Sequence, residues 1–221
     1  MKKNLFDDSG NFYDLLYEDK NSDIEIDYID GLFSKYSMDV KNILELGSGT
    51  GRHGSRLAKK GFSVVGIEKS KTMVSMAKKE EGFEIQIGDI TKINLKKKFD
   101  IVLALFHVLS YQTKNKQIDD FFRVANEHLK IGGLFIFDFW YSAAVQFQKP
   151  EIRLKKFENE KIKITRLAEP INKYNENVVL VKYNFWIEDK INSKLKKFEE
   201  VHPMRYFSIP EIESYSDKYN F

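Results

Sequence analysis

Between residues 42 and 140 the chain alternates short, almost unbroken apolar runs with helical patterns, and this alternation constrains the fold more than any other feature. "NILEL" (42–46), "SVVGI" (63–67), "DIVLALF" (100–106) and "LFIFDFW" (134–140) read as strands, and "FEIQI" (83–87) as a short alternating one. Residues 52–60 and 70–80 read as helices, the second with Ser70 as its N-cap. In "KQIDDFFRVANEHLK" the apolar residues Ile118, Phe121, Phe122, Ala125 and Leu129 share one helical face, and "IGG" (131–133) closes that helix. Strands this continuously apolar leave no face for water. The pattern predicts an α/β fold: a doubly wound, mostly parallel sheet with helices on both faces.

After Trp140 the grammar changes. Residues 161–168, 177–188 and 194–206 read as antiparallel strands, with Val179, Val181, Tyr183, Phe185 and Ile187 alternating against more polar neighbours. "SIPEIESYSDKY" then opens a helix, with Ser208 as N-cap, Pro210 in the first turn and Glu211 completing a capping box. The expected organisation is a helical N-terminal cap (1–39), a ligand-binding core (40–145), an antiparallel β insertion on the substrate side (146–207) and a terminal helix of the core (208–221).

Composition narrows the function. The 221 residues fit one domain of ordinary size. No cysteine is present, so disulfides, thiolate metal sites and a cysteine nucleophile are excluded, in keeping with an expected cytoplasmic location. No apolar run approaches ~20 residues, and the N-terminal stretch lacks the apolar core of a signal peptide, so no membrane association is expected. A net charge of +3 is too weak to argue for nucleic acid. The lysine runs at 95–99 and 193–198 read first as solvated faces. The four histidines, His53, His107, His128 and His202, show no metal-ligand spacing. A small-molecule substrate is the expected partner, and a homodimer is compatible with the sequence.

The loop after the first strand, "GSGTG" (47–51), faces the end of the sheet where such folds bind ligands. A dinucleotide fingerprint would place its third glycine where Arg52 stands, and a phosphate loop would need Gly-Lys-Ser/Thr, which is absent. Glu45, just before the loop, suits a ligand with a positive centre. Glu68, about 20 residues beyond Gly47, is placed to accept ribose hydroxyls. Asp89, after the third strand, can accept from an adenine amino group. S-adenosylmethionine combines a ribose, an adenine and a cation without a diphosphate.

On these residues the chain resembles the class I S-adenosylmethionine-dependent methyltransferases over about residues 40–140. "ILELGSGTG", "VVGIEKS", "IGDI", "FDIVLALFHVLSY" and "LKIGGLFIFDFW" match that family's motifs in order. The resemblance implies a Rossmann-like fold and S-adenosylmethionine as cofactor. It implies cofactor contacts at Glu45, Gly47, Gly49, Glu68 and Asp89, flanked by Ser48, Lys69, Met73 and Ile90, with Leu105 and Phe106 beside the methionine part. Within the class the chain is most similar to methyltransferases of sugar nucleotides and related small polar metabolites. That likeness rests on "FYDLLYEDKNSDIEIDYI", "FHVLSY" and the insertion ending in "EEVHPMRYFS", and it implies that Tyr13, Tyr17 and the inserted sheet close over the site. The family fold continues into a final β-hairpin, and the sequence ends at "KYNF", about where that hairpin should begin.

Methyl transfer from a sulfonium is an in-line displacement that needs orientation and, for some acceptors, a base. His107, at the rim after the fourth strand, is the candidate base or else a wall of the pocket. Tyr111 orients the acceptor or lines the pocket. Asp138, Trp140, His202 and Arg205 are candidate substrate contacts, with Arg205 suited to a phosphate or carboxylate. Asp138 also reads as a loop cap and Arg205 as a salt-bridge residue. Two other functions stay open: methylation of RNA or protein, and a non-catalytic module that binds the cofactor without turnover.

Overall fold

The computed structural model describes residues 5–36 and 38–221. A 3₁₀ turn (Ser9–Phe12) leads into α1 (Tyr13–Leu16) and α2 (Ser22–Lys35). There follow β1 (Asn42–Leu46), α3 (Arg52–Lys59), β2 (Ser63–Glu68), α4 (Lys71–Met76), β3 (Phe83–Ile87), β4 (Phe99–Ala104), α5 (Asn115–His128) and β5 (Leu129–Phe137). The remainder forms β6 (Trp140–Tyr141), α6 (Ser142–Phe147), β7 (Arg153–Glu158), β8 (Ile162–Lys173), β9 (Val178–Asp189), β10 (Lys194–Phe207) and α7 (Ile209–Lys218).

The first sheet has the order β3-β2-β1-β4-β5, and every pair in it is parallel. Strand alternation divides its side chains between two cores. Leu44, Leu46, Val102 and Ala104 pack with Ile118, Phe121, Phe122 and Ala125 of α5. Ile43, Ile101 and Leu103 pack on the opposite face with Ile26, Ile29 and Phe33 of α2 and Leu57 of α3. Burial on both faces is what the unbroken apolar runs require. The register sets Leu46 beside Ile67, Glu68 beside Ile87 and Ala104 beside Phe137, so the loops that follow these strands meet at one rim.

The second sheet has the order β6-β10-β9-β8-β7 and is antiparallel except for the two-residue parallel contact of β6 with β10. Its inner face packs Ile164, Phe185 and Ile187 against Leu16 of α1. Val179, Val181, Met204 and Tyr206 form a second cluster against Tyr111 and Trp140. The cap and the insertion are thereby joined across the mouth of the first sheet.

The elements differ from the sequence expectation in several places. The helix expected over 70–80 stops at Met76, because Ala77 is extended. β4 ends at Ala104, which leaves Leu105 and Phe106 in the loop. The stretch 131–133 does not close a helix. α5 ends at His128, β5 begins at once, and its pairing with β4 slips between Phe99 and Ile101. Asp138 therefore lies just beyond the fifth strand rather than within it. β6, β7 and α6 have no counterpart among the expected elements. Ser208 does cap α7, with its Oγ 3.3 Å from the Glu211 amide, but the Glu211 carboxylate pairs with Arg205 instead of completing a capping box.

Candidate active site

A cavity of about 500 Å³ opens at the rim where the strand ends converge, within the range of small-molecule sites. Its floor is the glycine loop. Gly47 has φ +71°, and a β-carbon there would fall 2.6 Å from a Val108 methyl. Gly49 has φ +58°, and its amide donates to Oε2 of Glu68 at 3.0 Å. Only glycine satisfies the backbone angle and the close approach at position 47 together.

Glu68 is buried at the end of β2, and its Oε1 accepts from the Ser70 amide at 2.7 Å. Burial pushes its carboxyl above the ordinary value, and the backbone amides only partly offset this. A carboxylate offers about four acceptor positions, so each oxygen keeps capacity for a hydroxyl donor. Asp89 follows β3. Its Oδ1 accepts from the amide and hydroxyl of Thr91, and its Oδ2 lies 3.1 Å from Nζ of Lys69. Burial opposes its charge, but the Thr91 and Lys69 hydrogen bonds prevail and lower its pKa. Met73 and Ile90 line the cavity beside these two acids, as does Ser48. This set fits an adenosyl group: a buried acid with spare acceptor positions for hydroxyls, a second acid at the next strand end, and a thioether and an alkyl chain between them.

The opposite wall is strained. Phe106 and His107 are consecutive left-handed residues, with φ of 66° and 67°. Each such residue costs on the order of 1–3 kcal/mol, so the surrounding structure must hold the loop. Asp138 does this: its Oδ1 accepts the His107 amide at 2.8 Å. Its Oδ2 lies 3.2 Å from Nδ1 of His107 without the alignment of a hydrogen bond. Burial lowers the His107 pKa, and the Asp138 charge opposes that shift. Leu105, Phe106, His107, Tyr111 and Trp140 all line the cavity, and the Trp140 amide is fixed to Oγ of Ser110 at 2.9 Å.

The N-terminal cap closes the top. Tyr13 and Tyr17 lie 4.7 Å apart between ring centroids, and Tyr17 sits edge-on to Phe106 at 5.0 Å. The cap is tied down by residues of the glycine loop and α3. Thr50 donates to Asp14, and the Arg52 guanidinium donates to the carbonyls of Tyr17 and Lys20 at 2.7 and 3.2 Å.

Four residues expected at the site do not line the cavity. Glu45 shares the face of Ile43, so strand alternation turns it beneath α3. It is 1% exposed, and its Oε1 lies 3.5 Å from Nδ1 of His53. His53 reaches the cavity wall and screens Glu45 from it. Burial works against charge on His53, but hydrogen bonds to Glu25 and Glu45 outweigh it and raise its pKa to about 9. Glu45 therefore meets His53 through Oε1, while its Oε2 is buried without a hydrogen-bond partner. Arg205 is likewise committed: it pairs with Glu211 at 2.7 Å and donates to Asn115 and to the Thr113 carbonyl. Asp138 acts on the His107 loop, and His202 lies behind Tyr111, 3.0 Å from its hydroxyl.

The sequence reading missed Lys20, Gln112, Gln117, Tyr183 and Met204, all of which line the cavity. The two glutamines stand just after a motif and carried no pattern of their own. Tyr183 and Met204 were legible only as alternating strand residues. Among the described residues no cluster of metal-binding side chains occurs, and no helix is long and apolar enough to cross a membrane.

Comparison with known proteins agrees with this geometry. A methyltransferase-domain family profile matches residues 43–133. YqeM of Bacillus subtilis, which carries a methyltransferase name, is 30% identical over 180 residues, covering 77% of this chain and 69% of YqeM. A dTDP-3-amino-3,4,6-trideoxy-alpha-D-glucopyranose N,N-dimethyltransferase of Streptomyces venezuelae is 26% identical over 61% of this chain and 58% of its own length. The chain spans 54 to 63% of the length of three of the curated relatives it matches. S-adenosylmethionine-bound CalS10, an amino pentose methyltransferase from Micromonospora echinaspora, superposes with a TM-score of 0.79. That match covers 99% of this chain and 91% of CalS10 at 19% identity, a likeness of fold. Kinship with YqeM, the fold shared with CalS10 and an adenosyl-shaped rim converge, and the chain belongs to the S-adenosylmethionine-dependent methyltransferases.

Proposed function

We propose that this protein moves the methyl group of S-adenosylmethionine to a nitrogen or oxygen of a small polar metabolite, a sugar or sugar nucleotide. When bound, the cofactor supplies an activated methyl group, so the protein's own work is orientation, exclusion of water and removal of a proton. Glu68 would accept the ribose hydroxyls and Asp89 would serve the adenine side, with the Gly47–Gly49 backbone, Leu105 and Phe106 holding the amino-acid part and Tyr13 and Tyr17 covering it. The acceptor occupies the far end, between His107, Tyr111 and Trp140.

One observation carries the substrate class: cations on the inner face of the inserted sheet. Arg166 of β8 lies against the rings of Tyr183 (5.1 Å), Phe157 (5.2 Å) and Tyr17 (5.8 Å), and two of these rings line the cavity. Arg153 and Lys155 of β7 stand opposite Ala168 and Arg166 in the ladder, so they share that face. None of the three has a carboxylate partner among the described residues. Unpaired cations beside an aromatic mouth suit a phosphorylated acceptor. The names of the Streptomyces and Micromonospora relatives, both acting on amino sugars, support the same class.

The test has two steps. Calorimetry with S-adenosylmethionine should give saturable binding, and no heat at millimolar cofactor would overturn the reading. A panel of amino sugars and nucleoside-diphosphate sugars should then yield S-adenosylhomocysteine by mass spectrometry. Turnover confined to RNA or protein would replace the small-molecule assignment.

A further inference from the structure

Behind the cavity wall a line of polar groups runs inward through a dry region. Oη of Tyr111 lies 3.0 Å from Nδ1 of His202. Nε2 of His202 lies 3.1 Å from Oε2 of Glu200. Glu200 also accepts from the Ser9 hydroxyl at 2.6 Å and from the Ser9 and Asp8 amides at 3.0 and 3.3 Å. His202 is 4% exposed and Glu200 9%. The rings of Phe6 and Tyr183 lie edge-on to His202, each at 4.9 Å, and shut it from solvent. Tyr111 alone of the three lines the cavity.

The direction of this chain follows from its inner end. Burial opposes ionisation of Glu200, but the hydrogen bonds from His202 and Ser9 prevail and lower its pKa. A carboxylate only accepts, so Nε2 of His202 carries a proton toward Glu200, and in the neutral ring Nδ1 then faces the Tyr111 hydroxyl with its lone pair. The other titratable groups nearby are Tyr13, Tyr17 and Tyr183 around Tyr111, and the Lys196–Asp8 pair beyond Glu200. Anchoring the N-terminal segment needs only Glu200 and Ser9. An imidazole buried between that acid and a phenol is unnecessary for anchoring and costly to desolvate.

We propose that Tyr111, His202 and Glu200 form a proton relay for the methyl acceptor, with Tyr111 at its cavity end and Ser9 fixing its inner end. The inference rests on the methyltransferase reading. As the acceptor lone pair bonds to the methyl carbon, the carbon–sulfur bond breaks and its electron pair stays on sulfur. The acceptor's proton passes to the Tyr111 oxygen while the phenolic proton passes to Nδ1 of His202. The imidazolium so formed is stabilised by Glu200 and later returns its proton by the same route, through the Tyr111 oxygen to the cavity. The relay suits acceptors that must shed a proton: a hydroxyl, which loses it as it attacks, or an ammonium, which must give it up before its nitrogen has a lone pair to attack with. Because Ser9 belongs to the cap, the relay is complete only when the cap is closed. Tyr111 is the catalytic residue, and His202 and Glu200 are positioning residues.

The full-length protein and its Tyr111→Phe, His202→Gln and Glu200→Gln variants test this, each bound to S-adenosylhomocysteine. Long-range proton–nitrogen correlation spectra should show the His202 proton on Nε2, and the Nδ1 resonance should move toward that of a free nitrogen in Tyr111→Phe. A proton on Nδ1, or an Nδ1 resonance that does not move, overturns the relay. With an acceptor from the sugar panel, His202→Gln should lose about 100-fold in kcat. Its acceptor KM and its calorimetric affinity for S-adenosylmethionine should be unchanged, and added imidazole should restore part of the rate to His202→Ala. Variants that bind cofactor normally and turn over at the wild-type rate defeat the relay alone. Wild-type protein that binds no S-adenosylmethionine defeats the underlying reading as well.

Discussion

Nε2 of His53 lies 3.0 Å from Oε2 of Glu25, which pins the long helix of the cap to the helix that leaves the glycine loop. His53 is held charged to a pKa of about 9, and Glu25 is lowered to about 2, chiefly by its hydrogen bond to His53. For a histidine whose folded pKa is raised, the stabilisation is whole below the unfolded value, about 6.5, and fades as pH climbs through 9. For the glutamate it is whole above about 4.5 and fades as pH falls toward 2. Thermal stability of the wild type should therefore decline between pH 7 and 9 more steeply than that of His53→Gln. That variant should be about 2 kcal/mol less stable at pH 6, measured by denaturant unfolding. Parallel pH profiles would refute the pairing.

Glu68 carries the predicted grip on the ribose. Glu68→Gln keeps the shape and one acceptor but removes the charge. A charge-assisted hydrogen bond contributes about 1.5–3 kcal/mol, so calorimetry should show cofactor affinity lower by about 10- to 100-fold. Equal affinity would place the ribose elsewhere.

Gly47 faces two constraints, a left-handed backbone and the two Val108 methyls, which would lie 2.6 and 2.9 Å from any β-carbon added there. Gly47→Ala should lower the melting temperature and weaken cofactor binding. Adding Val108→Ala should recover only part of the loss, because space returns while the backbone strain stays. Full recovery would mean that contact, and not φ, restricts this position.

Arg166 and Arg205 should behave oppositely. Arg166→Gln should raise the KM of a phosphorylated acceptor by about 10-fold or more with little change in kcat or melting temperature. Arg205→Gln, which removes the tie to Glu211 and Thr113, should lower stability and leave acceptor KM unchanged. Steady-state kinetics beside thermal unfolding separates the two.

The centre of the first sheet was legible because β1, β2 and β4 are buried on both faces, and burial on both faces writes itself as unbroken apolar runs. Glu45 shows where that reading stopped short. A motif drew it toward the ligand, yet its parity with Ile43 already put it under α3, and only the partner, His53, was hidden. β7 left almost no trace, since its charged residues are exposed and Phe157 is its one half-buried apolar residue. Its pairing with β8 is a tertiary fact. The rim of the cavity follows motifs local in sequence. The acceptor end does not: Tyr111 meets His202 across 91 positions, and Tyr183 joins them from a third strand. No local pattern encodes such a meeting.

The two carbonyls held by Arg52 belong to the short helix and turn that roof the cavity, while the arginine belongs to the floor. One guanidinium thus spans the doorway. The roof can lift on losing that clasp, the Thr50–Asp14 and Ser9–Glu200 hydrogen bonds and the packing of Leu16 on the insertion, with every hydrogen bond of the parallel sheet intact. Passage of a ligand beneath the roof then asks for a local opening of the cap and not for unfolding of the core.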